Sequence, residues 1–547
     1  MDRNANHRAA LACARLHRCG ERPRQGGCLV ARPGIRRSSA ILSLLVAVAW
    51  IGASCFAAVP QQYLFIGHPR SDTPGEIVQR EVERIAYSAF DLLLLGGDYT
   101  LNGTGTRQTV SYLDAIFDFS SPATLAALGN HDTANKSYLT EVTGRPRSYA
   151  QVSNGITFVV LDTTDDSRNI LGAELQMLAA AVAAMPANSH LVIIHHHIIW
   201  LTDNAINCEH YGDNDFIAAS SSTLSGLNFY SAVYPLLLQA RAKGGEVICL
   251  AGDRTGSRTE EYYIDHTTVD GVRFIAAGLQ DTLTPMLRTV VVLDHDMEAG
   301  TLTCHFKHLT DLPKIPDEPL VISELHYNPS ATQGDDTAFL ELFNRGAEPF
   351  DLSGATFSSG VAFTFPAGTI IAPGEYILVA ANPIHFDGLG VRVFDWQGTA
   401  VPTSGAPIWL RDSRRLEIDY VKYGQAAPWP TSPNNQGSSL MLIDPSTDNN
   451  LATHWATSDQ LGGTPGRVNI PPPWLENMAI GTGSATLVWN GVVVGGWYRL
   501  DYTTDLTPTD WHPIGTAIPA ASTSIQLIDP DTKDATRRFF RLSRLFP

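Results

Sequence analysis

The chain has 547 residues and a net charge of −17, with 44% hydrophobic and 17% charged residues. That length is too great for one core and predicts roughly three or four domains. The composition excludes a disordered chain, and the acidic balance carries no specific nucleic-acid signal.

Residues 1–59 are locally basic, with nine arginines against Asp2 and Glu21. Arg36 and Arg37 precede the apolar run AILSLLVAVAWIGAS (40–54), and small residues follow in CFAAVP. This is the order of a secretory signal, with the mature chain beginning near residues 56–60 and no stable membrane span after cleavage. An N-terminal membrane anchor is the competing reading. Four of the seven cysteines fall in this leader, so Cys208, Cys249 and Cys304 allow at most one internal disulfide.

From residue 60 to 312, short apolar runs alternate with helical patterns. QYLFIG predicts a strand, PGEIVQREVERIAYSAF an amphipathic helix, and DLLLLGG a buried strand. A helix near 106–117 and strands at ATLAALG and ITFVVLD follow. GAELQMLAAAVAAM and YSAVYPLLLQARAKG read as helices, while HLVIIHHH, EVICLAG, VRFIAAG, RTVVVLDH and TLTCHFKH read as strands. The expected fold is an α/β sandwich.

After DLPKIPDEP (311–319) helical periodicity disappears. Short alternating runs such as FLELFN, FTFPAG and EYILVA, separated by turn residues, predict an all-β sandwich over 319–470. GGTPGRVNIPPPW then precedes a last β-rich stretch, 471–547, containing ATLVWNG, GWYRLDYTT and RRFFRLSRL.

Chemistry-bearing residues gather where the apolar runs of the first domain end. LLLLGGD delivers Asp98, ALGNHD delivers Asn130 and His131, LVIIHHH delivers His195, and VICLAGD delivers Asp253. In open α/β sheets ligands bind beyond the carboxyl ends of strands, so these groups are expected to converge on one point. His196 and His197 read as structural or rim residues, and Cys208 with His210 as part of a solvated loop.

The order and spacing of these motifs resemble the calcineurin-like metallophosphoesterase superfamily over residues 62–310, with GNHD after a strand-terminal GD as the most specific part. The resemblance implies a divalent metal site, of one or two ions, acting on phosphate mono- or diesters. It implies Asp98, Asn130, His195, Asp253 and His68 as metal ligands, with Asp98 as the bridge. It further implies His131 as the group that protonates the leaving oxygen.

The first and last motifs depart from the pattern. FIGHPR puts His68 and Arg70 where an Asp and a His are expected, AGDRTG puts Asp253 and Thr255 at histidine positions, and Leu101 replaces an acid. Asp72 is a substitute ligand. Asn130, Arg70 and Arg254 are candidates for binding phosphate directly, because guanidinium geometry matches phosphate oxygens.

Residues 319–470 resemble the lamin-tail domain through VISELHYNP, FLELFN, DLSG, FPAGTIIAPGEYILVA, DYVKYG, PWP and GGTPGRVN. This implies an immunoglobulin-like sandwich that binds or tethers, with Trp396, Trp409 and Trp429 read as packing residues. The last stretch resembles a fibronectin-type-III module. The expectation is an exported, metal-dependent phosphoesterase with β-sandwich modules that bind a surface or matrix ligand. A non-catalytic binding protein built on a lapsed metallophosphoesterase domain is the alternative.

Overall fold

The computed structural model describes residues 60–545, apart from 74–75, 102–105, 166–167, 201–227, 255–262, 281–282, 397–399, 470–472, 506–509 and 533–536. The leader with its signal-like run, Thr255, and the Cys208–His210 segment lie outside the described residues.

The first part builds two sheets from strands buried on both faces. In chain order its strands are β1 (Gln61–Ile66), β2 (Leu92–Leu95), β3 (Thr124–Ala126), β4 (Tyr149–Ser153), β5 (Ile156–Val160) and β6 (His190–His195). They continue with β7 (Val247–Ala251), β8 (Tyr263–Thr267), β9 (Val272–Ala277), β10 (Thr289–Asp296) and β11 (Thr301–His308). One sheet runs β11-β10-β1-β2-β3 and the other β4-β5-β6-β7-β9-β8. Strands β1, β2 and β3 are parallel to one another, as are β5, β6, β7 and β9, so their carboxyl ends share one edge of each sheet.

Side-chain alternation divides the burial. Phe65, Leu94, Leu125, Val160, Ile194, Leu250 and Ile275 fill the space between the sheets. Helices α1 (Arg80–Glu83), α2 (Arg107–Phe117) and α3 (Lys136–Thr143) lie in the first sheet's half of the chain, α4 (Gly172–Ala184) and α5 (Tyr234–Arg241) in the second's. Leu113 and Phe117 pack with Leu93 and Leu95, while Leu178 and Leu237 pack with Ile193 and Cys249.

The amphipathic helix expected over 74–90 is only the four-residue α1 and a 3-10 turn at Tyr87–Ala89. Tertiary pairing overrides its helical pattern. Val78 bridges Arg70, Ile85 bridges Lys314, and Ala86 N–H donates to the Pro313 carbonyl.

Next comes a β-sandwich. Its six-stranded sheet contains Leu320–His326, Phe339–Asn344, Tyr376–Ala380, Arg392–Asp395, Ser438–Leu442 and Trp455–Leu461. A four-stranded sheet built on Thr356–Ser359, Phe363–Thr364, Pro407–Arg411 and Glu417–Lys422 faces it across one apolar core. Trp396 belongs to that core and Trp429 packs against it; Trp409 is also buried.

Ion pairs fasten this sandwich to α1 and the residue after it. Arg80 makes a bidentate pair with Glu417 at 2.6 and 2.8 Å, Glu83 meets Arg411 at 3.1 Å, and Arg84 reaches Asp317 at 2.5 Å. The last stretch forms two three-stranded sheets. Among the described residues, no helix is long and apolar enough to cross a membrane.

Candidate metal centre

Glycine lets the strand ends meet. A Cβ on Gly252, after β7, would lie 2.1 Å from the Gly96 carbonyl oxygen after β2, and one on Gly129 would lie 2.1 Å from Asp98 Oδ1. Only residues without side chains permit that approach. Asp98 itself takes a left-handed conformation, φ 61°. Asp132 makes that loop geometry possible, because its buried carboxylate accepts from the backbone N–H groups of Asp98, Tyr99 and Gly129, each at 2.8 Å. Burial and the nearby Asp98 charge push the Asp132 carboxyl up to about 8.

Asp98 is 1% exposed. Its Oδ1 accepts from His131 N–H at 2.9 Å and lies 3.4 Å from His196 Nε2. His196 Nε2 is also 2.9 Å from Asn130 Oδ1 and 3.7 Å from Asp253 Oδ1. At the other ring nitrogen, Nδ1–H donates to the Gly96 carbonyl at 2.8 Å. With the proton fixed on Nδ1, the Nε2 lone pair faces three oxygens. Burial lowers the imidazole's pKa and so favours its neutral form. Burial also pushes the carboxyls of Asp98 and Asp253 up to about 6. A buried cluster of lone pairs is costly by itself and suits a cation. A ring whose second N–H is tied to a backbone carbonyl is the usual setting of a metal-ligating histidine.

The expected convergence therefore includes Asp98, Asn130 and Asp253, and His196 joins it. His195 is fully buried; its Nδ1 donates to the His197 carbonyl at 2.8 Å and its Nε2 has no hydrogen-bond partner among the described residues, so it keeps the setting of a ligand on the neighbouring parity. Alternation gives the reason. Ile194 points between the sheets and Ile193 toward the helices, so, continued one residue past β6, the inward position is 196. His197, read as a rim residue, offers ligand atoms within 4.8 Å of those of His196 and Asp253, although its Nδ1 also lies 3.0 Å from Thr163 Oγ1.

His68 is near Asp98, with Nε2 3.4 Å from Oδ2, but both its ring nitrogens are otherwise engaged. Nδ1–H donates to the Leu279 carbonyl at 3.0 Å, and Nε2 accepts from Arg70 Nε at 3.2 Å. The Arg70 guanidinium, 3.9 Å from Asp98 Oδ2 and paired with Asp72, brings a fixed positive charge to this side. A cation ligated by His68 or Asp72 would have to displace it, so these residues do not fit a second metal ion. His131 Nε2 is 3.9 Å from Asp98 Oδ2 and its side chain is 20% exposed. Its Nδ1 has no hydrogen-bond partner among the described residues, and Leu101 is exposed. Arg254 is buried directly after Asp253. Sequence reasoning did not single out Arg168, whose charge favours the ionised form of Asp253.

Residues 314–425 match the Lamin Tail Domain family, so the chain carries this domain. No curated protein matches the chain. Among solved structures the chain is similar to a dimetal phosphatase from Danio rerio, with 12% identity and a TM-score of 0.31, over 47% of this chain and 98% of that one.

Proposed function

We propose that the α/β part hydrolyses phosphate esters, monoesters or diesters, with a single divalent cation held by Asp98, Asn130, His196 and Asp253. One observation carries the reading: Nε2 of His196, whose Nδ1 is engaged by the Gly96 carbonyl, converges with oxygens of Asp98, Asn130 and Asp253 in one cluster. Bound there, a divalent cation supplies Lewis acidity toward a phosphoryl oxygen. The chain's own groups do the rest. Arg70, beside Asp98, binds phosphoryl oxygens and takes the place of a second cation. Asn130 orients the ester through its amide. His131, the more accessible imidazole of the cluster, holds a proton at Nε2 for the leaving oxygen.

The test is hydrolysis of p-nitrophenyl phosphate and bis-p-nitrophenyl phosphate by protein supplied with manganese, zinc, iron or calcium. Metal content is measured on the same samples. Turnover with one bound ion supports the proposal; no turnover together with negligible metal content overturns it. A non-catalytic binding protein is the second reading, favoured by the way Arg70 Nε engages His68 Nε2.

The signal-like run at 40–54 supports work outside the cytoplasm, with the lamin tail domain tethering the hydrolase to a surface or matrix ligand. N-terminal sequencing of protein from the producing cell tests this: an intact 40–54 segment refutes cleavage.

A further inference from the structure

A cavity of about 510 Å³ lies where the α/β part meets the lamin-tail sandwich, and it shares no lining residue with the metal centre. That volume falls in the range of small-molecule sites, which favour domain junctions. Residues 83–88 and the end of α2 line it from the α/β part. Ile315 and Glu318 line it from the connecting segment, and Phe350, Leu416 and Ile418 from the sandwich. Ser88, Ala115 and Asp351 also line it and are exposed, so the cavity opens to solvent. Most of its charges are committed. Glu83 holds Arg411 at 3.1 Å and the Tyr112 hydroxyl at 2.7 Å. Arg84 faces Asp317 at 2.5 Å and Glu417 at 3.6 Å, and Arg414 meets Asp412 at 2.9 Å. Glu318 is different. It is half-buried, and among the described residues its carboxylate takes part in no hydrogen bond or ion pair. Burial raises its pKa although the charges of Arg84 and Arg414 act to lower it, so those guanidiniums do not offset its lost hydration.

We infer that this cavity binds a small organic cation, an alkylammonium whose charged head meets Glu318 and whose chain lies along Ile116, Phe350 and Leu416. Three features select that chemistry. A half-buried carboxylate without a donor calls for a cation, whereas an anion would find Arg84 and Arg414 already held by acids. Ile116, Ile315, Leu416 and Ile418 give an alkyl chain apolar surface to cover. Tyr87 and Phe350 add aromatic rings, whose faces attract ammonium groups. The exposed Asp351 supplies a second negative charge, with one carboxylate oxygen accepting from Ser353 N–H at 2.8 Å. These groups offer too few free oxygens for calcium or magnesium, which need a full shell of them.

The probes are hexyltrimethylammonium, hexanol and hexanoate, which share a chain length and differ in charge, each titrated into the full chain by calorimetry. Hexyltrimethylammonium is expected to bind saturably at one molecule per chain, hexanol about tenfold more weakly, and hexanoate not at all. Glu318→Gln keeps the side chain's shape and has no hydrogen bond to lose, so the variant should fold as the wild type does. It should lower the affinity for hexyltrimethylammonium about tenfold and leave that for hexanol unchanged. Glu476→Gln, exposed on the last β module, removes the same charge elsewhere and should change neither. Equal binding of hexyltrimethylammonium and hexanol overturns the inference. So does undiminished binding by Glu318→Gln, or no saturable binding. An acetyl-Leu-Lys-Leu-amide peptide that binds more tightly than hexyltrimethylammonium would show that the cavity takes a lysine side chain of a partner protein, and that outcome overturns it as well.

Discussion

His196 and Gly96 are joined by a hydrogen bond of 2.8 Å from the imidazole Nδ1 to the carbonyl oxygen, and this bond orients the whole candidate centre. It ties the end of one sheet to the end of the other, fixes the tautomer, and aims Nε2 at Asp98, Asn130 and Asp253. Adjacent in sequence, His195 is held by its own chain at the His197 carbonyl.

The pair separates two outcomes. His196→Ala should abolish metal content, while His195→Gln should keep it and lower only stability. Manganese at a hundredfold excess over its Kd should stabilise the wild type by about 2.7 kcal/mol and leave His196→Ala unmoved. Thermal melting with and without manganese, alongside elemental analysis, checks both. Metal retained by His196→Ala and lost by His195→Gln would return the ligand role to His195.

Arg70 predicts stoichiometry. The wild type should bind one divalent ion, because a guanidinium fills the side of Asp98 facing His68. The double variant His68→Asp with Arg70→His removes that charge and adds two ligands, so metal analysis should rise from one ion to two per chain. In the single-ion enzyme Arg70→Ala should raise KM, and His131→Ala should lower turnover by about 10²–10⁴-fold with metal content retained. A wild type already holding two ions sinks the guanidinium assignment.

Much of this centre is legible in the sequence, and its errors have definite causes. Asp98, Asn130 and Asp253 are readable because each ends a strand whose apolar run is unmistakable. The choice among His195, His196 and His197 needs the inward parity of β6, which a strand buried on both faces hides, since Ile193 and Ile194 look alike in sequence. Asp132 is visible only as part of a turn motif; three amide donors from two loops identify it as the group that shapes the Asp98 loop. The helix expected over 74–90 fails for a related reason. Arg80, Glu83 and Arg84 resemble a solvated helix face, but their partners lie more than 230 positions away on the lamin tail domain.

Those partners predict a rigid junction. The Glu417 side chain is 2% exposed and faces both Arg80 and Arg84, so Glu417→Ala strips Arg80 of its bidentate partner and leaves Arg84 with Asp317 alone. The expected loss is about 3–5 kcal/mol by chemical denaturation. Glu348→Ala, at an exposed turn, should cost less than about 0.5 kcal/mol. Equal effects of the two would mean that the junction adds nothing to stability.

The sandwich of the lamin tail domain should weaken as pH rises. Glu324 and Glu341 are fully buried cross-strand partners, and Asp419 is half-buried beside Ile322 and Asn449. Burial pushes Glu324 and Asp419 up to about 7, and burial with the neighbouring Glu324 charge raises Glu341 as well. Hydrogen bonds from Ser439, Thr464, Ser323 and Gly466 oppose these rises without cancelling them. Each carboxyl thus binds its proton more tightly folded than unfolded. Their contribution is fully present below the unfolded value near 4.3 and is lost as pH climbs through about 7. Between pH 5 and pH 8 each carboxyl raised to about 7 should cost the domain on the order of 2 kcal/mol, read as a falling denaturation midpoint. Glu324→Gln cannot ionise and should flatten the profile while keeping one acceptor for Thr464. A midpoint that rises over this range in the wild type would show that the pair is ionised in the folded state, with its amide and hydroxyl donors outweighing burial.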